Sequence, residues 1–366
     1  MVVSIERVQV LGFRARAQQL DRTDGTVTDT AVLDIGVQET GPDGGRWALF
    51  NRGLAGPTLA EPDLATLWTV RGAPHLYRRE DLPQIAAAVA PFSDADAGKR
   101  IYDAARPLKA AGVGNLAALD AVADAMRSVV TAPLVKGEVS ARVAALMPEP
   151  YLRFCRPCDA THLYEMPFRL AAVRAGLELR AGTSPPVLQP IAGFRPADHA
   201  PERLDLIRAY LRLLGPATPK HVADYLDAPV KDVKARWPAD AVEVSVAGET
   251  RWVLSADADR FDAPRPRLVR LLGPFDLFLQ AKDRPLLVDD PARAKVLWPV
   301  LGRPGAVITD GELAGTWRPR QSGGKLTVQV LLWSAAATRL RAAITEQAER
   351  LAAYRQVRLV KVDFAD

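Results

Sequence analysis

Cysteine is nearly absent: the 366 residues hold only Cys155 and Cys158. Two cysteines cannot build a disulfide framework, so a reducing, cytoplasmic location is expected. Long apolar runs are missing too. No stretch approaches the ~18–20 uninterrupted apolar residues that a bilayer span needs, and no membrane partner is expected. The first residues, MVVSIERVQVLGFRARAQQL, carry a charge every few positions and lack the apolar run of a secretory signal. There is no Walker loop, no G-x-G-x-x-G after a strand and no serine-centred nucleophile elbow, so no nucleotide cofactor is expected. Lysine is scarce as well, with 10 residues against 38 arginines.

What is present describes an ordinary globular chain. At ~100–200 residues per domain, 366 residues imply two or three domains. The hydrophobic share of 48% and charged share of 25% exclude a disordered chain. The net charge of +5 is mild, but arginine forks onto phosphates and guanine edges, so the arginine excess points toward nucleic acid. A GC-rich genome would give the same excess without that meaning.

One order of elements recurs along the chain. Ser4 is placed to cap a helix with Val8, Leu11, Phe13 and Leu20. Residues 28–37 read as a second helix, RWALFNRGL as a third, and LWTVRGAPHLYRR as two β-runs hinged at Gly72 and Ala73. Three helices and a hairpin is the winged-helix order. It returns with a helix capped by Asn115, then VSARVAALM, PFRLAAVRAG and the hairpin LELR…VLQPI. The third copy is PERLDLIRAYLRLL, a helix opened by Thr218-Pro219, PVKDVKARW, and a wing, VEVSVAGETRWVL. The last hundred residues are strand-rich, with Asp310-Gly311 as a hairpin turn and a long helix capped by Ser334. The expectation is an α+β protein. It has winged helices over 1–91, 92–197 and 198–262, and a strand-rich C-terminal domain over 263–366.

In a winged helix the third helix usually enters the major groove and the wing meets the neighbouring backbone. Basic residues on those elements are therefore DNA-binding candidates. They are Arg46, Arg52, Arg71, Arg78 and Arg79 in the first copy, and Arg169, Arg174 and Arg180 in the second. The third copy offers Lys231, Lys234, Arg236 and Arg251. Their occurrence in three tandem modules favours double-stranded DNA as the partner. Winged helices also serve as protein-interaction units, which is the alternative from another class. Arg339, Arg341, Arg350 and Arg355, in or after the last helix, read as solvated surface.

The stretches LDIGVQET, LWTVRGAPHL, PFDLFLQAKDR and ITDGELAGTWRPR resemble the tandem winged-helix superfamily of AlkZ-like and YcaQ-like DNA glycosylases. The resemblance runs in order over nearly the whole chain, through Arg71, Gly72 and His75 and through Pro274, Phe275 and Asp276. It implies modules arranged around a DNA channel and, in the active members, metal-free cleavage of the N-glycosidic bond of alkylated or crosslinked bases. The resemblance places catalysis on Gln, an apolar or small residue, then Gln or Asp, where water is positioned and a sugar cation stabilised. The matching residues here are Gln38, Glu39 and Thr40. Gln38 fits. Thr40 departs, because a hydroxyl can hold water but is neither a base nor a charge. Glu39 has suitable chemistry one position out of register. The resulting expectation is a DNA-binding protein linked to repair, with glycosylase activity centred on Gln38 and Thr40 as the alternative.

Cys155, Cys158 and His162 form a C-x-x-C-x-x-x-H cluster. Two thiolates and an imidazole are three of the four ligands of a zinc site, with Glu165, Asp159 or a distant residue to complete it. Two small thiols and a hydrogen-bonded histidine are the alternative, and no cofactor is then implied.

Overall fold

The computed structural model describes residues 3–41, 44–54, 63–335 and 337–365, apart from the side chain of Cys158. The chain is α+β. Its strands form sheets of six, five, three and two, and helices are interleaved among them along the whole sequence.

The six-stranded sheet is shared between the first two segments. Strand Leu64–Trp68 pairs antiparallel with Pro74–Arg78 on one side and with Leu177–Leu179 on the other, through Thr66 and Leu179. A second crossing ties the ends together, because Val3–Ile5 runs parallel to Ala241–Val246 and completes a sheet with Glu249–Leu254. Backbone pairing thus crosses two of the boundaries drawn from the recurring order of elements. The largest apolar core follows suit, joining Leu11, Leu33 and Leu76 to Leu211, Leu226 and Phe278.

The third segment keeps its expected order. Asp205 accepts from the backbone N–H groups of Ile207 and Arg208 and starts the helix Leu206–Leu214. Thr218 caps Pro219–Leu226 in a capping box with His221. The short helix Val230–Lys234 and the hairpin Ala241–Val246 with Glu249–Leu254 follow. In the C-terminal region five strands order as Val269–Leu272, Gly305–Thr309, Glu312–Ser322, Lys325–Leu332 and Arg358–Ala365. The helix Thr338–Tyr354 covers one face, packing Ile344, Ala348 and Leu351 against Leu271, Val328 and Trp317.

Three local expectations are corrected. Residues 28–37 are no helix: a 3₁₀ turn spans Ala31–Asp34 and strand Val37–Gln38 follows. Between them Gly36 sits at φ 89°, and a Cβ there would lie 2.5 Å from the Tyr77 ring, so only glycine fits and the helix cannot continue. Asn115 is the first residue of the helix Asn115–Val129 with Gly114 as its cap; the Asn115 side chain turns instead to Asp94, donating at 2.8 Å. Ser334 does not cap the long helix, which starts at Thr338 after Ala337.

Candidate active site and nucleic-acid interface

The turn at Gly36 delivers Val37 and Gln38 to the edge of the six-stranded sheet, where Gln38 pairs directly with His75. Gln38 is buried, at 9% exposure. Its Nε2 donates to Thr40 Oγ1 at 2.9 Å and its Oε1 accepts from Gln280 Nε2 at 3.0 Å. Gln280 also donates to the Phe275 carbonyl at 2.9 Å, and its Oε1 accepts from the Arg71 guanidinium. Arg71 holds a left-handed conformation at φ 57°, donates to the Tyr225 carbonyl at 2.8 Å and stacks 4.9 Å from the Tyr225 ring centroid. The result is a relay of neutral groups, Thr40–Gln38–Gln280, anchored on one cation.

Glu39 points away from this relay, as alternation along a strand requires. Its carboxylate accepts from the backbone N–H groups of Gly45 and Arg46, the latter at 3.0 Å, and pairs with the Arg46 side chain. It therefore sits at the start of helix Gly44–Phe50, where the exposed N–H groups favour an anion. Glu39 is committed to that helix end and does not stand in for the carboxylate missing at Thr40.

His75, across the strand from Gln38, is fully buried. Its Nδ1 lies 2.9 Å from the Ala73 carbonyl and 3.1 Å from Thr69 Oγ1. A carbonyl only accepts, so the proton belongs on Nδ1 and Nε2 is left as a bare lone pair, without a partner among the described residues. Burial, reinforced by the charge of Arg71, pushes its pKa down to about 3. The imidazole is neutral at physiological pH.

Thr40 lies on the rim of a cleft of about 1380 Å³. The cleft is lined by Arg46, Trp47 and Phe50 together with Phe275, Arg303, Arg318, Arg320 and Arg355. Arg318 and Arg320 are exposed on strand Glu312–Ser322. Neither makes a hydrogen bond or ion pair among the described residues. Sequence reasoning missed these C-terminal arginines, and Arg355, read as plain surface, lines the cleft with them. The signal was the alternation R-P-R, which puts Arg318 and Arg320 on one face of a strand. Gln280 was missed as well, having no local signature.

The other expected DNA contacts divide into three groups. Arg78, Arg52 and Arg251 are corrected: they are 3%, 0% and 6% exposed and are held inside the protein. Arg78 pairs with Asp34 at 2.6 Å, Arg52 with Asp276 at 2.9 Å, and Arg251 with Asp283 at 2.5 Å. Arg71 is committed to Tyr225 and Gln280. Arg169 is half-buried, bonded to Glu165 at 2.6 Å and to the Gly72 carbonyl at 3.0 Å, and Arg174 pairs with Asp120. Lys231, Lys234 and Arg236 are exposed. Arg236 rests over Phe92, 4.8 Å from the ring centroid.

Cys155 and His162 occupy the hairpin of Leu152–Cys155 with Ala160–Leu163, where Arg153 faces His162 and Cys155 faces Ala160. This register puts Cys155 and His162 on one face. His162 Nδ1 is 2.8 Å from the Leu163 carbonyl. The Cys158 side chain lies outside the described residues. Among the described residues no group of three His, Cys, Asp or Glu is placed to hold a metal ion, and no helix is long and apolar enough to cross a membrane.

A search of curated proteins finds no match to the chain. Among solved structures, the Streptomyces sahachiroi DNA glycosylase AlkZ is similar in fold over 100% of both chains, with a TM-score of 0.74 at 20% sequence identity. The family model for AlkZ-like DNA glycosylases matches residues 35–354, from just before Gln38 to the end of the long helix. The chain belongs to the AlkZ-like DNA glycosylase family.

Proposed function

We propose that this protein is a DNA glycosylase that binds double-stranded DNA through tandem winged helices and cleaves the N-glycosidic bond of an alkylated base at Gln38. One observation carries the reading: the buried Gln38 carboxamide bonds to Thr40, and Thr40 opens onto the arginine-lined cleft. The recurrence of helices followed by a hairpin, complete in residues 206–254, supports the tandem modules.

The chemistry suits a site without a free carboxylate. A purine alkylated on N3 or N7 carries a positive charge, so the C1′–N bond can break with both electrons leaving on a neutral base. No general acid is needed for that step. The positive charge passes to the sugar, where preorganised dipoles can stabilise it. Gln38 Oε1 keeps a lone pair beyond the one Gln280 uses, and Thr40 Oγ1 can hold the water that adds at C1′. The water's second proton leaves to solvent. The proposed chemistry uses neither metal nor nucleotide cofactor.

Release of base from alkylated duplex DNA, compared between the wild type and Gln38→Ala, tests the proposal. Loss of release in the variant is expected. No release by either protein, or equal release by both, overturns it. Retained, salt-sensitive binding without any release would leave a non-catalytic DNA-binding relative, the second reading, which the uncharged Thr40 and the committed Glu39 favour.

A further inference from the structure

Among the described residues, the two side chains hydrogen-bonded to Gln38 are held very differently. Thr40 is half-buried on the cleft rim. Its hydroxyl rotates and can donate or accept, so it imposes no orientation on the amide beside it. Gln280 has no such freedom. The Arg71 guanidinium only donates, which fixes the atom facing it as Gln280 Oε1. The Phe275 carbonyl only accepts, which fixes the atom at 2.9 Å as Gln280 Nε2. One N–H of Gln280 is left over, and it meets Gln38 at 3.0 Å.

The orientation therefore passes on. Facing an N–H, Gln38 must turn its Oε1 toward Gln280, and its Nε2 then donates to Thr40. Without Gln280, a half-turn of the Gln38 carboxamide would exchange donor for acceptor against a hydroxyl that tolerates either. An inverted amide would present N–H groups where a sugar cation and a water proton need an acceptor.

We infer that Gln280 is the positioning residue of this site, and that it fixes the Gln38 carbonyl oxygen as the acceptor. It comes from a segment 242 residues away in sequence. It supplies a second carboxamide beside Gln38, where the adjacent Thr40 offers a hydroxyl only. Arg71 acts through it, as the anchor that forbids Gln280 to flip. The inference rests on the glycosylase reading above.

The test is single-turnover release of an alkylated base by the wild type, Gln280→Ala and Gln280→Glu, with duplex affinity and melting temperature measured on each. Glu keeps the length of the side chain and an acceptor for Arg71, and lacks the N–H that orients Gln38. Both variants are expected to slow release by about 100-fold, the lower end of what losing one preorganised polar contact costs, with DNA affinity within about twofold of the wild type. A role confined to anchoring Arg71 would leave Glu at the wild-type rate, and that result overturns the inference. So does wild-type release by Gln280→Ala, or a loss of release matched by lost affinity. Should Gln280→Ala fail to fold, Gln280→Glu alone decides. Absence of release by the wild type overturns the glycosylase reading and the inference together, whereas release by the wild type and by Gln280→Glu alike overturns the inference alone.

Discussion

Arginines of the protein interior and arginines of the C-terminal strand Glu312–Ser322 stand in opposite settings. Arg14, Arg52, Arg78 and Arg251 are almost wholly buried, and each meets a carboxylate. Arg14 reaches Asp283 through two bonds of 3.0 and 2.7 Å, and Arg52 reaches Asp276 through two of 2.9 Å. These forks join residues 269 and 224 positions apart, so the interior arginines act as struts between distant segments. Arg318 and Arg320 instead stand exposed on the cleft wall. The planar guanidinium suits both settings, since the same two parallel N–H groups fit a buried carboxylate or a phosphate. What separates the two is whether the fold already provides an anion.

The largest effect should come from breaking a strut. Asp276→Ala strands the Arg52 charge, fully buried, and also removes the acceptor for the Phe278 backbone N–H at 3.0 Å. A loss of about 3–5 kcal/mol in denaturant unfolding is expected, the usual cost of removing one partner of a buried pair. A loss under about 1 kcal/mol, as for surface pairs, would place Arg52 with the solvated arginines.

Against these arginines paired with carboxylates, His75 shows the converse. Its imidazole has no carboxylate partner among the described residues and stays neutral, with a pKa near 3 against 6.5 in the unfolded chain. Above pH 6.5 both states are neutral. As pH falls below 6.5 only the unfolded state takes the proton, so stability should fall by up to about 1.4 kcal/mol per pH unit toward the folded value. His221, whose pKa burial also lowers, adds in the same direction, so the informative quantity is the difference between the wild type and His75→Asn. Between pH 6 and 4.5 the variant should lose less stability per pH unit than the wild type. Parallel curves would mean that the His75 site takes up a proton without cost.

On the cleft side the expected effects move from stability to affinity. Replacing Arg318 and Arg320 together by Ala should leave unfolding free energy within about 0.5 kcal/mol, as for exposed positions generally. Duplex affinity should fall about tenfold at low salt, uniformly across sequences, and the log–log salt slope should flatten by up to about 1.8 for two phosphate contacts. An unchanged salt slope would remove these arginines from the interface.

The sequence made the local elements readable. Asp310 and Gly311 carry positive φ of 52° and 90°, the demand that an Asp-Gly turn meets at little cost. Thr218-Pro219 opens its helix through side-chain and ring geometry that needs no tertiary partner. Gln38 was readable from its place in a motif. The long-range partners were not. Asp81 lies three residues from Arg78, but nothing near Arg78 in sequence announces that Asp34 also pairs with it, with Arg203 behind. Gln280 meets Gln38 only because the Phe275–Gln280 turn is folded against the sheet edge. A glycine can also overrule a helical pattern, as Gly36 does before Gln38, because the Tyr77 ring occupies the space of a side chain.

The smallest effect tests whether a sequence-derived interface belongs with the cleft. Lys231 and Lys234 are exposed on the helix Val230–Lys234, where a winged-helix reading puts the major groove. Asp232 between them is turned inward, accepting from Ser93 at 2.7 Å, so its carboxylate does not neutralise either lysine directly. An ammonium is a strongly hydrated point charge and makes no bidentate fork, so two lysines should count for less than two arginines. Replacing both by Ala should weaken duplex binding about threefold at low salt, equally for all sequences, with a smaller change in salt slope than the Arg318/Arg320 pair gives. A loss as large as that of the arginine pair would shift the centre of the interface to residues 206–254. No loss at all would confine DNA to the cleft beside Thr40.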